Sequence, residues 1–278
     1  RRLDLGMGPS LRSATRRRHD RPLRGGLDPR RAVRRHVPGP DRLSGVLRRI
    51  SEPALIAKTA ATLDHISGGR FELGIGAGWH EWEAEAFGYD FPSLGARFDM
   101  LEEAAEIVTG MLRDERTTFE GRHFRTKDVS NRPGPIGRVP IWIGGIGEKR
   151  TLPLAARWAD GWNAAYISPP EFGRLNTVLD EACDRIGRDP AEIERTVNVQ
   201  FVVGSDRAEA DRVLTETREF WGPMAERTME GALVGTPDQV IEQVAAYRDA
   251  GAQGLNIALR APWSDEALDA CIAAIRSD

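Results

Sequence analysis

From Ser51 onward the chain repeats one pattern: a short apolar run, a polar or glycine-rich turn, then a stretch with apolar residues three and four apart. The runs are Phe71–Ile75, Pro140–Ile143, Asp160–Ala164, Thr196–Val203 and Gly254–Leu259. Strands this short and this apolar have both faces covered, and helices between them make the crossovers of a parallel sheet. The fold class is therefore α/β. Five such strands fit an open doubly wound sheet, whereas a (β/α)8 barrel needs three more upstream.

The helical stretches carry readable ends. Ser51 is placed to N-cap a helix with Leu55, Ile56, Thr59, Leu63 and Ile66 on one face. A longer helix spans Ala96–Arg113, its stripe Phe98, Leu101, Ala105, Val108 and Leu112. Others are expected at Glu148–Ala159, from the Ser168-Pro169-Pro170-Glu171 cap to Ile186, at Asp206–Trp221, from Thr236-Pro237 with Val240, Val244 and Tyr247 inward, and at Ser264–Arg276. The polar Thr117–Val129 reads as a hairpin excursion.

Composition enters because the first fifty residues do not share this pattern. They hold 15 arginines, no lysine, 4 aspartates and no glutamate, a charge of +11; the formal total of −3 leaves −14 for the other 228 residues. All 19 aromatic residues lie at Phe71 or beyond. Without aromatics or a strand period, residues 1–50 are expected to stay outside the folded domain 51–278. A passive tail or a stretch read in a wrong frame ranks ahead of a basic arm for nucleic acid, which lacks aromatic platforms here. Two unpaired cysteines, Cys183 and Cys271, suit a reducing cytoplasm. No apolar run spans a bilayer, and no apolar core follows the first arginines as in a signal peptide.

In α/β folds sites lie beyond the carboxyl ends of the strands. Two glycine turns fall there: Gly74-Ile75-Gly76-Ala77-Gly78-Trp79, and Gly144-Gly145-Ile146-Gly147-Glu148. The second joins a strand to a helix, where backbone N–H groups can converge on an anion. Neither is a Walker A motif or a full dinucleotide fingerprint, and a tight turn that binds nothing is the competing reading. Trp79, His80, Trp82 and Glu83 follow the first turn. His80 or Glu83 could move a proton, or be surface residues; the tryptophans could wall a flat ring, or pack the loop onto the rim. No histidine spacing suits a metal and no nucleophile elbow is present, so hydrolase and metalloenzyme chemistry find no residues here.

The run Ala54–Arg70, Ala-Leu-Ile-Ala-Lys-Thr-Ala-Ala-Thr-Leu-Asp-His-Ile-Ser-Gly-Gly-Arg, continuing into Phe71–Trp79, resembles the bacterial luciferase-like superfamily. So do Pro140–Gly147 and Ala155–Asn163, Ala-Ala-Arg-Trp-Ala-Asp-Gly-Trp-Asn. The resemblance covers residues 51–278 and is nearest to the branch using the deazaflavin coenzyme F-420; the other branch uses flavin mononucleotide and oxygen. It implies a (β/α)8 TIM barrel, here incomplete at its N-terminal side, because about three strand–helix units should precede Ala54. It implies an oxidoreductase passing a hydride between F-420 and a small organic substrate. Gly144, Gly145, Ile146 and Gly147 would hold the coenzyme phosphate; Gly76, Ala77, Gly78 and Trp79 would border ring and substrate. It assigns no catalytic residue and no metal. The partner implied is a small molecule rather than nucleic acid or membrane, with a homodimer open to it. The alternatives are a flavin mononucleotide monooxygenase of the same fold and a non-catalytic remnant.

Overall fold

The computed structural model describes residues 43–46, 52–258 and 263–277. In chain order these form β1 (Leu43–Val46), α1 (Pro53–Ser67), β2 (Phe71–Ile75), α2 (Glu81–Ala86), α3 (Leu94–Arg113), β3 (Thr117–Glu120), β4 (Arg125–Val129), β5 (Ile141–Gly144), α4 (Thr151–Trp158), β6 (Gly161–Ala165), α5 (Pro169–Asp184), β7 (Glu194–Val203), α6 (Arg207–Trp221), α7 (Pro223–Met229), β8 (Ala232–Gly235), α8 (Pro237–Asp249), β9 (Gly254–Ala258) and α9 (Asp265–Ser277). All seven strands other than the β3–β4 hairpin join one parallel sheet, ordered β1-β2-β5-β6-β7 with β8 and β9 both on β7. Among the described residues, no strand pairs with the outer edge of β1 or β9.

The register sorts the side chains by face. Leu73 lies beside Ile141, Ile75 beside Ile143, Ile143 beside Trp162, and Ala164 beside Val197. These residues are buried with Leu101, Ala105 and Val108 of α3, Leu152 of α4, and Phe172 and Leu175 of α5. Trp162 stacks on Phe172, ring centroids 5.3 Å apart and 8° from parallel. The other face pairs Gly74 with Trp142, Asn163 with Thr196 and Asn198 with Asn256. Along the lower part of the sheet that face carries amides and hydroxyls, as in a barrel wall; at the upper end of β7, α6 and α7 pack on it, Val213 and Met229 against Val202.

The β7 strand serves two partners along one edge. Its residues 194–198 pair with β6; beyond the end of β6, Gln200–Val203 pair with β8. A Cβ on Gly231, just before β8, would sit 2.3 Å from the Tyr166 carbonyl carbon, so β8 starts where β6 stops. The opposite edge of β7 pairs with β9.

Several expectations change. Leu43–Val46 is a strand in register with Phe71–Gly74, so residues 1–50 do contribute one; the rest of that stretch lies outside the described residues. Glu52, not Ser51, occupies the N-cap of α1, with Pro53 in the first turn. The buried stripe of α1 is Ile56, Ala57, Ala60 and Ala61, while Leu55 is 63% and Ile66 60% exposed. Small alanines let α1 approach closely, so size decided the inward face where hydropathy alone pointed elsewhere. Residues 148–150 form a turn, and α4 begins at Thr151. Ser168 sits at the N-cap of α5 without a side-chain hydrogen bond. Unforeseen were α2, α7 and the four-residue β8, each too short to show a period. No helix among the described residues is long and apolar enough to cross a membrane.

Candidate active site at the carboxyl rim

Because β2 and β5 are neighbours, the two glycine turns that follow them meet at the rim. A Cβ on Gly76 would lie 3.5 Å from the Gly144 carbonyl oxygen. On the first turn, the Ala77 carbonyl accepts from Arg97 Nε at 3.2 Å, and Arg97 lies 3.8 Å over the Phe91 ring. Gly78 takes a φ of 77°, the left-handed region that glycine enters without steric cost. The chain then turns into α2, where His80 Nδ1 accepts from the Glu83 N–H at 3.0 Å. His80 is thus the N-cap of α2, and this bond leaves the ring proton on Nε2. Trp79 is 54% and Trp82 73% exposed, so neither packs the loop onto the rim. Trp79 meets the His80 ring edge-on at 4.7 Å.

On the second turn, Gly145 has a φ of 128°, and its N–H donates to the Asn163 carbonyl at 3.0 Å. This N–H therefore faces the sheet and not the mouth. The Gly145 carbonyl accepts from Trp162 Nε1 at 2.7 Å. A Cβ on Gly147 would lie 2.9 Å from Thr151 Oγ1, so the turn is drawn tightly over the start of α4. Among the described residues, the N–H groups of Ile146, Gly147 and Glu148 take no hydrogen-bond partner. Three free donors ahead of a helix N-terminus suit an anionic oxygen, and glycine keeps the approach open.

The charges around this turn are largely spoken for. Arg150 pairs with Asp99 at 2.8 Å and Glu102 at 3.4 Å. Glu148 pairs with Arg174 at 2.8 Å, and that hydrogen bond holds its carboxyl below the usual range. Arg174 also clasps Glu171 through two nitrogens, and these carboxylates raise its own affinity for the proton. Lys149 is exposed and makes no ion pair among the described residues.

Sequence reasoning located both turns but missed what braces and adjoins them. Thr151 and Trp162 brace the second turn, and Asn163 Nδ2 donates to Thr196 Oγ1 at 2.8 Å on the inner face. Tyr166, just past β6, takes a φ of 56°, uncommon for a side chain of its size and found where local strain is held by the surrounding fold. The alternation within Gly161–Ala165 is the signal that could have sent Asn163 inward and Trp162 outward.

The family model for luciferase-like monooxygenases matches residues 43–254. The chain belongs to that family. Its match begins at Leu43, the first residue of β1. An F-420-dependent glucose-6-phosphate dehydrogenase of Microbacterium testaceum is 30% identical over 226 residues, 72% of this chain and 66% of the relative. A Kineococcus radiotolerans enzyme of the same name is 31% identical, and its aligned part is 58% of its own length. The chain thus spans about three-fifths to two-thirds of the length of these relatives. Among solved structures, the F-420-dependent tetrahydromethanopterin reductase of Methanopyrus kandleri superposes with a TM-score of 0.65 at 18% identity, covering 84% of this chain and 81% of that one. At these identities the likeness establishes the fold, a luciferase-like (β/α) barrel that is incomplete among the described residues.

Proposed function

We propose that this chain is an oxidoreductase of the deazaflavin-using branch, binding coenzyme F-420 and a small organic substrate at the carboxyl rim. The observation that carries the reading is the 30% identity, over 72% of the chain, to an enzyme named for F-420 dependence. The second glycine turn fits the phosphate of such a coenzyme: Ile146, Gly147 and Glu148 offer unengaged N–H groups, and the glycine at 147 leaves room beside Thr151. When bound, F-420 supplies a deazaflavin ring that takes or gives a hydride.

The chain's own contribution is placement. Free N–H groups at the start of α4 would fix the anionic end of the coenzyme. Gly76, Ala77, Gly78 and Trp79 would border its ring, with the exposed indole of Trp79 as a flat apolar wall. The amides and hydroxyls of Asn163, Thr196 and Asn198 line the sheet face below the rim and can orient a polar substrate. His80 can donate a hydrogen bond from Nε2–H, since Nδ1 is committed to accepting from the Glu83 N–H.

The test is titration of the purified chain with F-420 and, separately, with flavin mononucleotide, followed by coenzyme fluorescence and absorbance. Saturable binding of F-420 is expected, with flavin mononucleotide at least tenfold weaker. Preference for flavin mononucleotide would transfer the chain to the monooxygenase branch. Binding of neither would refute the coenzyme reading.

A further inference from the structure

The Trp162 indole and the Gly145 carbonyl make a part-buried polar contact beneath the second turn. Trp162 is fully buried and its ring lies flat against Phe172, so the indole cannot swing away. Its Nε1–H donates to the Gly145 carbonyl at 2.7 Å. A trans peptide is planar, and its C=O and N–H point in opposite directions. Fixing the Gly145 carbonyl toward the core therefore fixes the Ile146 N–H away from it. The preceding peptide is fixed as well, because the Gly145 N–H donates to Asn163 at 3.0 Å. The φ of 128° at Gly145 lets both planes hold at once.

We infer that Trp162 is a positioning residue for the anion-holding edge of the site: its buried indole N–H sets the peptide plane that turns the Ile146 N–H outward. Trp162 touches neither coenzyme nor substrate in this role; it acts through Gly145. The inference rests on the coenzyme reading above, and it adds that phosphate affinity is governed from inside the core, one residue away from the inner-face Asn163.

Two variants remove the donor. Trp162→Phe keeps an aromatic ring against Phe172. Site-specific replacement of Trp162 by benzothienylalanine keeps the full indole outline and exchanges only the N–H for sulfur, which guards against loss of packing in the phenylalanine variant. Each is titrated with F-420 and with the deazaflavin riboside that lacks the phosphate and its tail. Affinity for F-420 should fall about tenfold, the worth of one well-aligned hydrogen bond, while affinity for the riboside stays within about twofold. Equal weakening toward both ligands would reduce Trp162 to a general packing residue and overturn the inference. Unchanged affinity for both would overturn it too. A folded wild-type chain that binds the riboside but gains nothing from the phosphate would overturn the inference while leaving ring binding standing. A wild-type chain that binds neither ligand would remove the coenzyme reading itself, and the inference with it.

Discussion

Glu103 is the perturbation with the most measurable consequence. From the middle of α3 its Oε1 accepts from the Arg122 N–H at 2.8 Å, and its Oε2 from the His123 and Phe124 N–H groups at 2.9 and 2.8 Å. One carboxylate thereby caps the tip of the β3–β4 hairpin, where a Cβ on Gly121 would fall 2.5 Å from Glu103 Oε2. Burial alone would raise the Glu103 pKa; the three backbone donors outweigh it and hold the group below its ordinary 4.5. Charge-assisted bonds contribute about 1.5–3 kcal/mol each when buried. Here Arg122 and His123 are exposed, so water recovers much of that on removal, and Glu103→Ala should cost about 2 kcal/mol in all. For a domain of this size that lowers the melting temperature by roughly 4–8 °C. The sign with pH follows from the lowered folded pKa. The contribution is complete above the unfolded value and is lost as pH falls through the folded one. Urea unfolding of wild type and Glu103→Ala should therefore show a constant gap from pH 7 to about 5 and a narrowing gap below about 4.5. A gap that persists undiminished in acid, or is absent at pH 7, would refute the account of the hairpin tip.

Gly145→Ala should cost about 2–3 kcal/mol, because the φ of 128° is closed to a side chain and the new Cβ would press Thr151 Cγ2 at 3.2 Å; an unmoved urea midpoint would contradict the turn geometry. Gln243 binds both polar groups of Val234, accepting from its N–H at 3.0 Å and donating to its carbonyl at 2.8 Å, in the manner of a neighbouring strand. Gln243→Leu should destabilise by about 1–2 kcal/mol and speed hydrogen exchange at Val234 more than at Val199, and equal exchange in variant and wild type would exclude that pairing.

The parallel sheet was legible because its strands are short, apolar and separated by helical periods, and periodicity is what packing against a helix layer demands. β8 was not: its four residues, Ala232–Gly235, show no alternation, and their pairing is set by the free end of β7 and the Gln243 amide rather than by local preference. The edge of the Arg-rich stretch was misjudged at Leu43–Val46, Leu-Ser-Gly-Val, whose strand pairing with Phe71–Gly74 is a non-local contact that no window of sequence displays. At the candidate site, glycine marked both turns. It could not reveal that the Gly145 N–H is taken by Asn163, nor that His80 caps α2, since both depend on which atoms the fold brings within reach.

The end-to-end arrangement of β6 and β8 along β7 has a mechanical consequence. β7 is ten residues long, a rod of roughly 33 Å that reaches from the floor of the sheet to beyond the rim. Its lower half is clamped between β6 and β9, and its upper half carries β8. A push on β8 at the mouth is then borne by the same rod that holds Thr196 beside Asn163 below. Any displacement of β8 at this side of the rim has to pivot about β7 as a stiff lever. The first turn, beyond the shorter β2, can adjust by local bending at Gly76 and Gly78.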